Sequence, residues 1–392
     1  MLDLERAQTY MRESAIDGWL IYDFRGHNPV MAQVAGAGKF VTRRNFLFIP
    51  RQGKMSVIAH FIDRDQFAGL DASIESYAGW PEMIDQLRTA LGDCNRIAME
   101  YSPGGAIPAM AWVDGGTLEL IRSLGVEIVS SADLFQVAAA TWPKAALDSH
   151  LSASQAVAAT KDAAFDYIRH SLQAGRSLTE YDVQEFIMQQ FREQDLETEH
   201  RPIVAVNANS GNPHYEPTQQ RHLPIAKGDW VLIDLWARHP GGQDVFADIT
   251  WVAYAGDRVP EKYQSVFEIV KTARDRVVAR LEAAWAAGER MQGWQVDMVA
   301  RDYIAEAGYG QDFKHRTGHS MGPGTTVHAL GVNLDNLETH DTRSILPGIG
   351  FSVEPGIYLP EFGVRSEINV YVDPDQGPTV TTPPQEEIIL LT

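Results

Sequence analysis

The amino-acid sequence predicts two domains, an α/β domain over residues 1–140 and an α+β domain over residues 145–392. Three observations support this prediction. In the first part, short apolar runs alternate with helical patterns, as expected for a mixed or parallel sheet. In the second part, long helical patterns precede and follow strand-like runs. Between the two parts, the segment Ala138–Lys144 changes in character and contains a proline, which is typical of a boundary.

The first domain begins with a helical pattern near Leu4–Ser14. Apolar runs predict strands at Trp19–Tyr22, Asn45–Ile49, Met55–Ala59, Arg96–Glu100 and Val126–Val129, with helices near Pro81–Leu91 and Gly116–Leu124. No cluster of residues in this domain looks catalytic. Gly104–Gly105 is not part of a phosphate loop, because no lysine-bearing pattern follows it.

The second domain begins with two predicted helices, Ala146–Leu172 and Thr179–Glu193, in which apolar residues recur every three or four positions. Strand-like runs and two more helices follow. The predicted strands are Ile203–Val206, Trp230–Trp236, Phe246–Tyr254, Phe351–Tyr358, Val364–Val372 and Ile388–Leu391, and the predicted helices are Glu261–Ala286 and Trp294–Ala307.

Composition limits the function classes. The chain has 52 acidic and 33 basic residues and a formal net charge of −19, which disfavours nucleic acid and anionic membrane surfaces as partners. Cys94 is the single cysteine, so no intramolecular disulfide can form. The N-terminus lacks the apolar region of a signal peptide, and no apolar run reaches the roughly 20 residues of a membrane span. We therefore expect a cytoplasmic protein.

Two aspartates lie in apolar, strand-like segments, Asp234 in VLIDLWAR and Asp248 in VFADITWV. A Pro-Gly-Gly turn at 240–242 joins the segments, so a hairpin can bring both side chains to one face. An ion pair of Asp234 with Arg238 is an alternative, because a buried carboxylate needs a cation or several donors. Two adjacent buried carboxylates repel each other, which favours a shared metal ion.

Two glutamates repeat this pattern, Glu354 in FSVEPGIY and Glu367 in GVRSEINV. Either could form an ion pair with Arg365. His319 lies beside glycines in HRTGHSMG, and the segment does not match the HExxH pattern of helical zinc sites. Taken together, the four carboxylates and the imidazole are a suitable ligand set for two divalent ions held side by side, an arrangement that activates water.

Three more histidines are candidates. His315 precedes His319 by four residues and His328 follows it by nine, and this density beside glycines favours a site. His214 lies in the turn-rich segment GNPHYEP, where an exposed loop histidine is the simpler interpretation.

As an ordered set, DLWAR, ADIT, TGHSMG, VEPGIY and GVRSEINV resemble the creatinase/methionine-aminopeptidase ("pita-bread") superfamily, peptidase family M24. The resemblance is greatest to its branch of Xaa-Pro dipeptidases (prolidases) and Xaa-Pro aminopeptidases. It is strong over residues 145–392 and weaker over 1–140. It implies a creatinase-like α/β N-terminal domain followed by an α+β pita-bread catalytic domain.

The resemblance also implies roles for the metal-ligand candidates. Asp234 would chelate one metal ion, Asp248 and Glu367 would bridge both, and His319 and Glu354 would complete the ligand set of the other ion. Glu354 would also take the proton of the attacking water.

Other residues match positions near the substrate in that family. His214 and His328 would face the substrate, and His315 would lie near the scissile bond. Arg365 would support the carboxylate ligands. Arg343 lies where prolidases place an arginine for the proline carboxylate.

Three departures from the family pattern concern the pocket. The connection from Asp234 to Asp248 is about three residues longer than usual, Trp251 stands where an arginine is common, and Ala329 follows His328 where an acidic residue is frequent. None of them removes a metal ligand.

The preferred function is hydrolysis of Xaa-Pro bonds in small peptides by a homodimeric prolidase. Manganese is the first choice of metal, with cobalt or zinc as substitutes, because carboxylate-rich sites suit harder ions. Alternatives are an Xaa-Pro aminopeptidase (aminopeptidase P), a metal-dependent amide hydrolase on the same scaffold, and a binding protein without activity. The complete ligand set argues against the last.

Overall fold

The computed structural model of the protein describes residues 2–36 and 40–392, which form two compact units, Met1–Ala140 and Thr141–Thr392. Each unit has its own buried apolar core. Within the described part of the chain, no helix is both long enough and apolar enough to cross a membrane.

The first unit is built on a six-stranded mixed sheet with the order β4-β3-β2-β1-β5-β6. The β1–β2 and β2–β3 pairs are antiparallel and the other pairs are parallel. The strands are β1 (Gly18–Phe24), β2 (Arg44–Pro50), β3 (Met55–His60), β4 (Ala72–Tyr77), β5 (Arg96–Met99) and β6 (Glu127–Ser130). The helices are α1 (Leu4–Glu13), α2 (Pro29–Ala35), α3 (Trp80–Leu91), α4 (Gly115–Ser123) and α5 (Ala132–Phe135).

Strand β4, helix α2 and the one-turn helix α5 of this unit were not predicted. Strand β4 lies at the edge of the sheet and only its last residue, Tyr77, is buried, so its sequence lacks an apolar run. Helix α2 is short. It begins at Pro29 after Asn28, whose side chain accepts a hydrogen bond from the Val30 N–H, and this is a usual N-terminal cap.

The second unit has a sheet covered on one face by two long helices. Its strands, in the order β16-β9-β8-β7, are β7 (Ile203–Val206), β8 (Trp230–Ala237), β9 (Ala247–Tyr254) and β16 (Ile389–Leu390). The helices are α6 (Lys144–Gln173) and α7 (Glu180–Glu193). Their apolar stripes, with Phe165 and Ile168 from α6, pack on the odd-numbered residues of β8, such as Val231 and Ile233. The opposite face of the β8–β9 hairpin carries the polar residues.

A second group of strands faces this hairpin. Strands β10 (Ser320–Met321), β11 (Gly350–Val353), β14 (Ile368–Asp373) and β15 (Gly377–Val380) form an antiparallel sheet, and β12 (Gly356–Tyr358) pairs with β13 (Gly363–Arg365). The Asn369 side chain joins the two sheets, because its Oδ1 accepts from the Asp248 N–H and its Nδ2 donates to the Asp248 carbonyl. Helices α8 (Glu261–Ala286) and α9 (Gly293–Glu306) complete the unit.

The sequence prediction of two long, continuous strands is wrong, because each of them is interrupted. The runs Phe351–Tyr358 and Val364–Val372 are each divided, at Glu354–Pro355 and at Ser366–Glu367. Apolar residues lie on both sides of each break, so the hydrophobic pattern suggested continuous strands. The breaks release Glu354 and Glu367 from regular strand geometry.

Candidate metal centre and substrate cavity

The β8–β9 hairpin places Asp234 and Asp248 on the same face. In the strand register, Asp234 lies opposite Thr250 and Trp236 lies opposite Asp248. Side chains two residues apart on a strand share a face, so the aspartates are diagonal neighbours. Both are buried, at 7% and 5% exposure, and both line one cavity.

The two glutamates meet the aspartates from the second sheet. Val353 pairs with Ile368 at the ends of β11 and β14, so the next residues outward are Glu354 and Glu367. The Glu367 N–H donates to the Thr250 carbonyl over 3.3 Å, and the Thr250 hydroxyl donates to Glu367 Oε2 over 2.8 Å. Glu367 is therefore fixed against the hairpin that carries the aspartates.

His319 is held by a close backbone contact. A Cβ on the preceding Gly318 would lie 1.9 Å from the Ser352 carbonyl oxygen, so only glycine allows this approach. The His319 N–H donates to Ser352 Oγ, and the Ser352 N–H donates to the His319 carbonyl, both over 2.9 Å. Ser352 Oγ also donates to Glu354 Oε1 over 3.1 Å, so the histidine and the glutamate share one positioning residue.

The ligand atoms suit a metal ion. Asp248, His319 and Glu367 each offer one atom within 4.8 Å of the other two. Among the residues that the structure describes, Asp234 Oδ1 and Asp248 Oδ1 are buried without a hydrogen-bond partner. Buried carboxylate oxygens in this state are costly unless a cation binds them.

The tautomer of His319 also suits a metal ion. Its Nδ1 lies 3.1 Å from the Ser320 carbonyl, which can only accept, so Nδ1 carries the proton. In the neutral ring, Nε2 then presents a lone pair 3.4 Å from Asp248 Oδ2 and 3.7 Å from Glu354 Oε1. Burial lowers the pKa of His319, which favours this neutral form. A lone pair facing two carboxylates is stabilised by a cation between them.

The carboxylates also perturb one another. Burial, followed by the charge of Asp234, raises the pKa of Asp248 well above its ordinary value. Burial and then Asp248 raise the pKa of Glu367 in the same way, and burial raises the pKa of Glu354. A divalent cation would reverse this effect by favouring the ionised forms.

Arg365 supplies part of the compensating charge. Its guanidinium is buried and donates to Asp234 Oδ2, to Thr250 Oγ1 over 2.9 Å and to the Tyr358 hydroxyl over 3.0 Å. The alternative pair of Asp234 with Arg238 does not form, because Arg238 pairs with Glu197. One arginine cannot neutralise four carboxylates, so it supports the site without replacing a metal ion.

His315 has both ring nitrogens engaged. Nδ1 lies 2.7 Å from the Arg316 carbonyl and must donate to it, so the Nε2 atom, 2.7 Å from the Tyr358 hydroxyl, accepts. Burial, followed by the charge of Arg365, lowers the pKa of His315 to about 3. His315 is thus neutral and has no free proton to give.

His214 and His328 are exposed and line the cavity. The His328 ring lies with its centroid 4.1 Å from that of His319. His214 follows a 3-10 turn, Asn207–Gly211, and its N–H donates to Asn212 Oδ1 over 3.1 Å. Both side chains are therefore available to a molecule in the cavity.

Arg343 does not lie in the cavity, contrary to its predicted place at the substrate. Its side chain is 1% exposed, and its Nε and Nη2 atoms donate to the Asp341 carboxylate. The remaining Nη1 donates to the Leu330 carbonyl over 2.6 Å. All sides of the guanidinium are used within the fold, so Arg343 holds a loop together.

The departures at Trp251 and Ala329 also lie away from the ligands. Trp251 points to the helical face of β9, where the Lys161 ammonium sits 3.5 Å from the ring centroid. The Ala329 N–H donates to the Ser320 carbonyl over 2.9 Å and closes the histidine loop.

The cavity has a volume of about 590 Å³ and includes residues that sequence reasoning missed. These residues are Glu199, His200, Trp236, Arg316 and Glu338. Three of them, Glu199, His200 and Glu338, come from segments that carry no motif. A signal existed for the other two, because Trp236 follows Asp234 by two residues in DLWAR and Arg316 lies between His315 and His319.

Comparisons with known proteins agree with this geometry. The model of metallopeptidase family M24 matches residues 152–374 of this chain. An Xaa-Pro dipeptidase of Lactobacillus helveticus is 31% identical over 204 residues, 52% of this chain and 49% of that protein. The chain thus spans about half the length of the curated relatives it matches.

Solved structures show the same fold over the whole chain. The dipeptidase PepE of Mycobacterium ulcerans superposes with a TM-score of 0.68 at 22% identity, covering 99% of this chain and 96% of that one. An X-prolyl aminopeptidase of Caenorhabditis elegans, described as a cytosolic enzyme with a di-nuclear active site, gives 0.66 at 17% identity, covering 99% and 63%. The predicted fold class, an α/β domain followed by an α+β pita-bread domain, is confirmed.

Proposed function

Because the chain belongs to metallopeptidase family M24, we propose that it is a metal-dependent peptidase that hydrolyses Xaa-Pro bonds, with dipeptides as preferred substrates. One observation carries the proposal. Asp234, Asp248, His319, Glu354 and Glu367 line one cavity, and the Oδ1 atoms of the two aspartates are buried without a hydrogen-bond partner.

These five residues would hold two divalent metal ions. Manganese is our first choice, and cobalt or zinc could substitute, because oxygen-rich ligand sets suit harder ions. When bound, such ions supply Lewis acidity that makes water nucleophilic near neutral pH and polarises a carbonyl group.

Glu354 is the residue that we assign to proton transfer. Its Oε1 accepts from Ser352, while Oε2 lies 4.0 Å from Arg365 Nε, beyond hydrogen-bonding distance. Oε2 is thus placed to accept a proton from water. Hydrolysis breaks the C–N bond before proline, and one water molecule supplies the hydroxyl that adds to the carbonyl carbon and the proton that adds to the proline nitrogen.

The histidines would divide the remaining tasks. His315 accepts from Tyr358 and cannot give a proton to the leaving nitrogen, so we assign it to positioning Tyr358 and, through it, Arg365. His214 and His328 face the cavity and remain to contact the substrate carbonyl or the leaving proline.

The organisation of the whole protein is part of the proposal. We assign residues 1–140 to a creatinase-like domain and residues 145–392 to the catalytic domain. We also propose a homodimer, on the family resemblance, and a cytoplasmic location, with which the single cysteine is compatible.

A substrate panel tests the proposal. Ala-Pro, Leu-Pro, Ala-Pro-Ala and an alanyl amide without proline are incubated with the protein after chelation and after manganese is restored. We expect manganese-dependent cleavage of the two dipeptides. Preference for Ala-Pro-Ala would instead identify an aminopeptidase, and cleavage of the amide alone would identify a non-peptidase hydrolase.

A further inference from the structure

The segment that carries His214 is long and irregular. It runs from the 3-10 turn Asn207–Gly211 to the start of β8 at Trp230, and two of its residues, Pro213 and His214, line the cavity. The His214 side chain is exposed, so its own packing does not fix it. A connection of this length keeps one conformation only if interactions from outside it offset the loss of chain entropy.

A buried carboxylate that does not line the cavity provides such interactions. Glu180, the first residue of α7, is 0% exposed. Its Oε1 accepts from the Val206 N–H over 2.7 Å and from Asn209 Nδ2 over 2.9 Å. Its Oε2 accepts from the Tyr215 hydroxyl and from the Leu223 N–H, both over 2.6 Å. One side chain therefore holds the end of β7, the turn after it and two points of the loop.

These partners lie on both sides of His214 along the chain. Asn209 precedes the histidine in the turn, and Tyr215 follows it directly. The Tyr215 side chain is buried, and burial, followed by the hydrogen bond to Glu180, raises the pKa of its hydroxyl. The hydroxyl therefore stays protonated near neutral pH and donates to the carboxylate. Because the chain is fixed on both sides of His214, the direction of its side chain is fixed as well.

The far end of the loop is attached to the same residue. The Glu180 N–H donates to the Leu223 carbonyl over 3.0 Å, in addition to the bond from the Leu223 N–H to Oε2. A carboxylate suits this place because both of its oxygens only accept. A glutamine would turn an NH2 group towards at least one of the four donors, so it could not replace the glutamate.

We propose that Glu180 is a positioning residue for His214, which acts on the reaction through the histidine and contacts neither substrate nor metal. This inference rests on the proposed function, in which His214 contacts the substrate. The geometry gives the physical reason, because a group that is misplaced by about 1 Å beside the reacting atoms can cost about 100-fold in rate.

A double-mutant cycle with His214→Ala tests this role, with Ala-Pro as substrate and manganese present. Glu180→Gln should lower kcat/KM by about 10- to 100-fold, and the loss should divide between kcat and KM as it does in His214→Ala. In the His214→Ala background, Glu180→Gln should change kcat/KM by less than about twofold, because the side chain that it positions is already gone.

Two further variants separate positioning from a loss of folding. Tyr215→Phe removes one of the four donors and keeps the ring, so kcat/KM should fall by about 3- to 10-fold in a protein that melts as the wild type does. Tyr167→Phe changes a partly buried tyrosine of α6 that does not line the cavity, and it should leave kcat/KM unchanged.

Hydrogen exchange gives a readout that does not depend on turnover. Measured by mass spectrometry over residues 203–223, exchange in Glu180→Gln should be about 10- to 100-fold faster than in the wild type, since the carboxylate accepts from two backbone N–H groups of this segment. The amount of bound Mn²⁺ per chain should not change, because no proposed metal ligand lies in the segment.

The outcomes separate the two proposals. A wild-type protein that does not cleave Ala-Pro contradicts the proposed function, and the role of Glu180 in catalysis falls with it. An active wild type overturns the positioning role alone if Glu180→Gln and Tyr215→Phe keep kcat/KM within about twofold. The same holds if Glu180→Gln lowers kcat/KM as strongly in the His214→Ala background as in the wild type, because the loss would then be independent of His214.

Discussion

The Thr250 hydroxyl joins a metal-ligand candidate to its supporting arginine, and its removal gives a sharp prediction. Oγ1 donates to Glu367 Oε2 over 2.8 Å and accepts from Arg365 Nε over 2.9 Å. All three side chains are buried, at 0%, 2% and 4% exposure, so water cannot replace the hydroxyl. Thr250→Val keeps the shape and removes both hydrogen bonds.

The magnitude follows from these contacts. A hydrogen bond to a charged group contributes about 1.5–3 kcal/mol, and the first of the two holds Glu367 in place. Loss of such a support typically lowers metal affinity by about 10- to 100-fold. We therefore expect the manganese dissociation constant of Thr250→Val to rise by that factor.

Calorimetric titration of chelator-treated protein with Mn²⁺ measures this directly. Thr379→Val, at an exposed position of β15, is the matched control and should bind as the wild type does. A Thr250→Val protein that is folded and binds Mn²⁺ within about twofold of the wild type would refute the reasoning, because Glu367 would then not depend on Thr250.

Three other predictions follow from the structure. Glu354→Gln should reduce kcat for Ala-Pro by at least about 100-fold, the usual contribution of a proton acceptor; turnover near the wild-type rate would exclude that role. Arg343→Gln should lower the free energy of unfolding by about 3–5 kcal/mol, because it leaves Asp341 buried without its arginine partner. KM for Ala-Pro should stay unchanged in the folded protein. A raised KM with unchanged stability would instead show that Arg343 contacts the substrate. Burial raises the pKa of Glu100 from 4.5 to about 7. The protonated carboxyl therefore stabilises the folded state by about 3 kcal/mol below about pH 4.5, and this contribution is lost as the pH rises through 7. Urea unfolding at pH 5 and pH 8 should show a smaller pH-dependent loss in Glu100→Gln than in the wild type, and an equal loss would contradict the assignment.

The sequence predicted the hairpin of the metal centre because the physics there is local. Asp234 and Asp248 lie on consecutive antiparallel strands whose register pairs even-numbered residues with even-numbered residues, so period-2 alternation places both on one face. The apolar residues between them mark the opposite face, which packs on α6.

The sequence identified Glu354 and Glu367 as candidate ligands but did not predict the strand breaks at which they lie. Apolar residues flank Glu354 and Glu367 on both sides, and the sequence therefore suggested continuous strands. The chain in fact leaves the strand at each glutamate, and tertiary hydrogen bonds such as Thr250 to Glu367 determine where they point. Contacts between distant segments leave no periodic trace in a sequence.

Arg343 lies elsewhere in the structure than its predicted place at the substrate. Its position along the chain suggested the substrate, but the carboxylate two residues earlier, Asp341, takes its guanidinium. Which arginine reaches the cavity depends on which side chain the folded loop buries, and Arg316 lines the cavity whereas Arg343 does not.

The central claim is that five residues hold two metal ions in this cavity, and counting bound metal tests it most directly. Chelator-treated protein is equilibrated with Mn²⁺, desalted and analysed for metal per chain, beside Glu367→Gln and, as a control for cavity charge, Glu338→Gln. We predict about two ions per chain in the wild type and in Glu338→Gln, and a clear deficit in Glu367→Gln, because we propose that this buried carboxylate is one of the metal ligands. Retention of no metal by the wild type, or of equal metal by Glu367→Gln, would contradict the account.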